Sequence, residues 1–142
     1  MSGIDFLAQG VPHVFRDKER LRRWLRAVVK AHKRQLGALN YVLMSDAMLR
    51  DYNMRYLGHR TLTDVISFPA DDGTDISGDI LISLPRVMEN AALAGVSVQA
   101  ELRRVMVHGL LHFLGHTDLT KAEKEAMRQA EDLWLLRSSE SR

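Results

Sequence analysis

The residues with the most chemical content fall in one short run, 108–118, which reads HGLLHFLGHTD. His108 and His112 are four positions apart, and on a helix that spacing stacks both imidazoles on one face, one turn apart, where they can grip a single ion. Gly115 can take a left-handed backbone and stop the helix, so the chain turns back just beyond it. Asp118 then stands where a carboxylate can supply a third ligand. The chain has no cysteine, so thiolate sites and disulfides are excluded and any metal must be held by His and carboxylate. The expectation is one Zn²⁺ per chain, bound by His108, His112 and Asp118. Three protein ligands leave a fourth position open, the pattern of a hydrolytic rather than a structural site. Zinc bound in this way brings the ionisation of water down to about pH 7 and polarises a carbonyl or phosphoryl oxygen. His116 is the rival third ligand. It would lie one further turn along the same face if the helix continued, and Gly115 argues that it does not. Two histidines on an apolar helix can also be satisfied core residues, but the added glycine and carboxylate at these offsets favour the metal. Zinc peptidases of the HExxH type place a glutamate directly after the first histidine. Here that position is Gly109, so a peptidase would lack its proton acceptor.

These groups need a helix to carry them. Ser97 caps one running to about Gly115, with Leu102, Val105, Met106, Leu110 and Phe113 as its apolar face. Upstream, residues 4–7 read as a short edge strand. Asp17 caps a helix to about Gln35, with Leu21, Trp24, Leu25, Val28 and Val29 at helical spacing, and Gly37 stops it. A strand over 39–44 follows, then a short helix capped by Ser45, running to about Tyr56 and ended by Gly58. Residues 64–69 (DVISFP) form a strand, 70–77 a polar connection, and 78–83 (GDILIS) another strand. Ser83 and Pro85 open a helix to about Leu93. Thr120 and Glu123 form a capping box for a last helix through Met127, Leu133 and Leu135. The fold class expected is α+β, a small mixed β-sheet packed against several α-helices, with the metal site at the C-terminal end of a central helix.

The whole chain, 1–142, reads as one domain, with 46% hydrophobic and 27% charged residues and no repeat or low-complexity tract. No apolar run approaches the roughly 18 residues of a membrane span, and the first residues do not read as a secretory signal. No membrane partner and a cytoplasmic location are the expectations. The net charge is only +2, but Lys18, Arg20, Arg22, Arg23, Arg26, Lys30, Lys33 and Arg34 crowd one segment. Alone, such a run is usually a solvated helix face. Beside a hydrolytic metal it becomes a candidate contact for a phosphate backbone, with salt-dependent binding. His59 and Arg60, on the loop before the 64–69 strand, are candidates to touch a scissile phosphate, an ordinary surface loop being an equal alternative. Asp64 and Asp79 flank strand starts, where turn or cap roles are favoured. Trp24 shares the apolar stripe of its helix and reads as core rather than a base-stacking platform.

The motif at 108–118 resembles the His-Gly-x-Leu-His-x-x-Gly metal motif of the YbeY family, bacterial rRNA maturation factors that act as zinc-dependent endoribonucleases. Residues 41–45 resemble the family strand that precedes an Asn-x-x-Tyr/Phe segment, matched here by Asn53 and Tyr56. The run 63–69 (TDVISFP) is similar to the family's Thr-Asp-Val-Leu-Ser-Phe-Pro, and 78–80 (GDI) to its Gly-Asp-Ile strand. Glu123 and Met127 fall where the family has an acidic residue and a methionine. The resemblance spans about residues 40–131. It implies single-strand-specific RNA cleavage in 16S rRNA 3′-end maturation and ribosome quality control, with precursor rRNA and the ribosome as partners. Two positions depart from it. Asp118 stands where the family has a third histidine, and a hard carboxylate shifts preference towards Mn or Mg. Leu57 stands where the family has an arginine thought to aid catalysis, with Arg60, or Arg55, as candidates to replace it. The run 56–64 resembles a branch of the family in Bacteroidetes-like bacteria that also carries Asp at the ligand position. Two other functions compete: a non-catalytic ribosome- or RNA-binding factor stabilised by zinc, which Leu57 supports and a fourth ligand such as His116 would favour, and a metallopeptidase, which Gly109 disfavours. Oligomeric state is not legible.

Overall fold

The structure, a computed structural model, describes residues 3–58, 63–70 and 75–138. Strand β1 (Gly3–Ala8) is followed by α1 (Lys18–Ala31), β2 (Leu36–Met44), α2 (Asp46–Tyr52), a π-helical turn (Asn53–Leu57), β3 (Val65–Pro69), β4 (Ile76–Ser83), α3 (Leu84–Ala94), α4 (Val98–Phe113) and α5 (Lys121–Ser138). The sheet order is β1-β2-β4-β3. β1, β2 and β4 run parallel and β3 is antiparallel to β4, so the fold is the expected α+β arrangement with a mixed sheet. β1 and β3 are its edges.

Period-two alternation separates the two faces of the sheet. Leu39, Tyr41, Leu43, Ile80 and Ile82 point into the main core with Trp24, Leu25 and Val28 of α1 and Leu102, Met106 and Leu110 of α4. Val42, Met44, Ile66 and Leu81 form a smaller cluster with Leu49 of α2 on the other face. Trp24 is 1% exposed and its indole N–H donates to the Trp134 carbonyl at 2.8 Å, which makes it a core residue. α4 is buried almost all round in its second half, at Met106, Val107, Gly109, Leu110 and Leu111. It is the central helix, and the Tyr41 hydroxyl donates to the Met106 carbonyl at 2.9 Å, tying it to the middle strand.

The caps of Ser45, Ser83 and Ser97 form, accepting from the amides of Met48, Arg86 and Ala100, as does the Thr120–Glu123 box. Several expected boundaries move. Asp17 precedes α1 in a left-handed conformation and its side chain caps nothing. α1 ends at Ala31 because Lys33 takes a positive φ of 58° and the Arg34 amide closes back on the Val29 carbonyl. Gly37 therefore stops no helix. It lies inside β2, where a side chain would collide with Ser77 of β4. β4 begins at Ile76, two residues early, so Asp79 is a mid-strand residue opposite Asn40, whose amide donates to it at 3.0 Å. Asp64 caps no helix: its carbonyl accepts from the Ser83 amide at 3.0 Å, and its carboxylate from the Asn90 amide at 3.4 Å. Leu133 is 48% exposed, and the buried stripe of α5 runs instead through Met127, Glu131, Trp134 and Ser138.

Candidate metal centre

His108 and His112 lie in the last turns of α4, a helix held on both sides by core packing. The helix stops as Gly115 adopts a φ of 100° and the His116 amide closes on the Leu111 carbonyl. That reversal returns Asp118 to the imidazoles. The carboxylate Oδ2 of Asp118 is 3.5 Å from His108 Nε2 and 3.3 Å from His112 Nε2, and the two Nε2 atoms are 3.2 Å apart. The tetrahedral edge expected from Zn–N bonds of about 2.05 Å is roughly 3.3 Å. The donor triangle therefore fits a small ion of the zinc class.

The outer hydrogen bonds explain why both Nε2 atoms aim at one point. His108 Nδ1–H donates to the Glu131 carboxylate at 2.6 Å, and His112 Nδ1–H donates to the His116 carbonyl at 3.1 Å. Each bond places the ring proton on Nδ1 and leaves a lone pair on Nε2. Two imidazole nitrogens and a carboxylate oxygen converging on one point form a donor set suited to a cation. Glu131 is 5% exposed and its other oxygen accepts from Arg104 at 2.9 Å, while Arg104 also reaches Asp132 at 2.6 Å. Burial resists charging His108, but the hydrogen bond and charge of Glu131, helped by Asp118 and Asp64, leave its pKa raised.

His116 turns away from this group. Its Nε2 is 2.9 Å from His32 Nε2, and His32 Nδ1 donates to the Val28 carbonyl at 2.7 Å. The second bond makes His32 Nε2 an acceptor, so His116 donates to it from Nε2, and among the described residues the donor atoms that converge are those of His108, His112 and Asp118, without a ring nitrogen of His116. Burial, then the neighbouring His32 and His112, holds the His116 pKa down. His116 thus joins the site only through its carbonyl. His32, at the end of α1, brings the basic end of that helix beside the centre.

The centre opens into a cleft of about 740 Å³, walled by Ser67 of the edge strand β3, by Thr63 and Asp64 just before that strand, and by Asn53 and Leu57 of the π-helical turn. Leu57, in the place of the arginine discussed above, is 41% exposed on that wall. Arg55 is on the surface, paired with Asp51 at 3.0 Å, and does not line the cleft. His59 and Arg60 lie outside the described residues. Gly109 faces the sheet, not the cleft: an added Cβ would stand 2.8 Å from Ile80 Cγ2 and 3.2 Å from Ser67 Oγ. A glutamate there would have neither room nor access to a substrate.

Sequence reasoning did not single out Glu131. Its signal was present: residues 127, 131, 134 and 138 share one helical stripe, and a carboxylate within a buried stripe needs a partner.

A family model described as endoribonuclease YbeY matches residues 10–138. A protein of that name from Flavobacterium johnsoniae is 45% identical over 77% of this chain and 78% of its own length. Another from Cytophaga hutchinsonii is 40% identical over 91% of each chain. A solution structure from Thermotoga maritima shares the fold, with a TM-score of 0.64 over 96% of this chain and 89% of that one, at 23% identity.

Proposed function

This chain belongs to the endoribonuclease YbeY family, and from that premise we propose that it is a zinc-dependent endoribonuclease that cuts single-stranded RNA at the His108–His112–Asp118 centre. The observation that carries the reading is the tautomer pair: Glu131 and the His116 carbonyl each hold a proton on Nδ1, so His108 and His112 direct lone pairs at one point beside Asp118. The substrate proposed is the 16S rRNA precursor, in 3′-end maturation and ribosome quality control in the cytoplasm.

His108, His112 and Asp118 would hold the ion, which when bound supplies a Lewis acid for a phosphoryl oxygen and ionises water near neutral pH. The work of the chain is positioning. α4 fixes both imidazoles from within the core, Glu131 keeps His108 in its ligating tautomer, and the His116 carbonyl does the same for His112. The cleft runs beside β3, and Ser67 is anchored there by donating to the Gly109 carbonyl at 3.3 Å. Because His116 is committed to His32, the set of three ligands leaves a position open for substrate, which supports hydrolysis over a purely structural zinc.

The test is metal content by elemental mass spectrometry, followed by cleavage of a single-stranded RNA. The wild type should hold near-stoichiometric zinc and cut. His112→Ala and Asp118→Ala should lose both properties, and His116→Ala should keep its metal. A wild-type protein that takes up no metal after reloading, or one that is metal-loaded and leaves RNA intact, would overturn the proposal. A 2′,3′-cyclic phosphate at the product end would assign the attack to the RNA 2′-hydroxyl rather than to water.

A further inference from the structure

A second polar hollow lies on the other side of α4. It has a volume of about 420 Å³ and is lined by Arg16 before α1, Arg20 on α1, Gln99 and Arg103 on α4, and Ser138 at the end of α5, over an apolar floor that includes Trp24. Arg103 and His112 are nine residues apart, which is roughly 14 Å along the helix and half a turn around it. The hollow is therefore separate from the metal cleft.

Its charges are not balanced. Arg104, the next residue, is matched by Glu131 and Asp132. Arg103 has no such match: its Nε is buried and has no hydrogen-bond partner among the described residues. Burial holds its guanidinium pKa down and the charge of Arg20 pushes the same way. Arg20 spends Nε and Nη2 on one neutral acceptor, the Ser138 carbonyl, at 3.2 and 3.0 Å. The Gln99 amide nitrogen is committed to the Val14 carbonyl at 2.8 Å. One carboxylate, Asp17, stands on the rim, but among the described residues it forms no ion pair with the three arginines. Half-buried cations facing one another with a donor left unpaired are costly unless an anion joins them. Planar guanidinium forks match the oxygens of carboxylates and phosphates, and several cations around one hollow favour the more highly charged phosphate.

We propose that the hollow formed by Arg16, Arg20 and Arg103 is a phosphate-binding site, distinct from the metal centre, that takes a phosphate group of a nucleic-acid strand or of a free phosphate ester. This stands independently of the cleavage reaction, since it involves none of the residues of the cleft.

The test is a ¹H–¹⁵N spectrum of the full chain that resolves the arginine Nε–H signals, titrated with sodium phosphate against sodium chloride at matched ionic strength. The Arg103 Nε–H should shift saturably with phosphate and not with chloride. Arg103→Gln should weaken binding roughly tenfold or more, the cost of a charge-assisted hydrogen bond. Arg16→Gln, at an exposed position, provides a variant that keeps the fold and should weaken it as well. His112→Ala should leave it unchanged. Oligoribonucleotides with and without a 5′-phosphate then distinguish the source: competition by both identifies the strand backbone, and competition by the phosphorylated one alone identifies a monoester. Equal shifts in chloride, or phosphate binding untouched by both arginine variants, would overturn the assignment.

Discussion

Glu131→Gln isolates the part of the proposed metal centre that lies outside its three candidate ligands. The substitution keeps the shape of a side chain 5% exposed but removes the charge that accepts from His108 Nδ1 at 2.6 Å. A glutamine amide can offer His108 an N–H instead of an acceptor. That would move the ring proton to Nε2 and turn the ligating lone pair away from the site. Loss of such an outer hydrogen bond typically costs 10–100-fold in metal affinity, equivalent to about 1.4–2.8 kcal/mol. The fold should lose less than the 3–5 kcal/mol typical of breaking a wholly buried pair, because Arg104 retains Asp132 at 2.6 Å. Competition for zinc against a chelating dye near pH 7.5 measures the first quantity and urea unfolding of the metal-free protein the second. An affinity within twofold of wild type, in a background where His112→Ala abolishes binding, would refute the idea that Glu131 sets the tautomer.

Other substitutions test how the helix is held. Gly109→Ala places a methyl 2.8 Å from Ile80 Cγ2, a branched and stiff neighbour. Overpacking of about 1–3 kcal/mol should exceed the roughly 1 kcal/mol gained in helix propensity, so the thermal midpoint should fall; a rise would mean the sheet yields easily. Tyr41→Phe removes the donor to the Met106 carbonyl but leaves that carbonyl within the helix ladder, so a loss of about 1 kcal/mol in urea unfolding is expected. The hydrogen bond from Arg86 to Asp46, with a further one from Ser83 and the charge of Arg50, outweighs burial and lowers the Asp46 carboxyl pKa. A lowered carboxyl stabilises the fold above its unfolded value of about 3.9, and that contribution disappears as pH falls through the folded value. Asp46→Asn should therefore lie below wild type in urea midpoint at neutral pH and converge with it in acid; parallel curves would exclude the linkage.

What could be read from the sequence divides along a physical line. Local chemistry was legible: Ser45, Ser83 and Ser97 declare their helices, and Gly115 its reversal, because caps and left-handed glycines are decided by a few neighbouring residues. The clustering of His108, His112 and Asp118 was legible for the same reason, since the eleven residues 108–118 of one helix and turn contain it. Contacts across elements were not. Gly37 looks like a helix stop until Ser77 on another strand is seen to need its space. Lys33, which actually ends α1, carries no residue-type signal for a positive φ. Asp79 sits at mid-strand because β2 and β4 pair as far back as Leu36 and Ile76.

Gly109 shows why one helix can serve both core and chemistry. On α4 the faces are divided by position: His108 and His112 face the cleft, while Gly109 faces β4. In the sequence, Gly109 reads as a missing catalytic glutamate. In the fold, the same residue is what lets α4 approach the sheet closely enough for Ser67, on the wall of the cleft, to bond its carbonyl at 3.3 Å. A side chain at 109 would push the helix outward, and the imidazoles of His108 and His112 would move with it relative to β3. The glycine thus argues against the peptidase reading more strongly as packing than as an absent base. A proton acceptor for the proposed hydrolysis would therefore not stand at position 109, because the position after His108 is closed by the core itself.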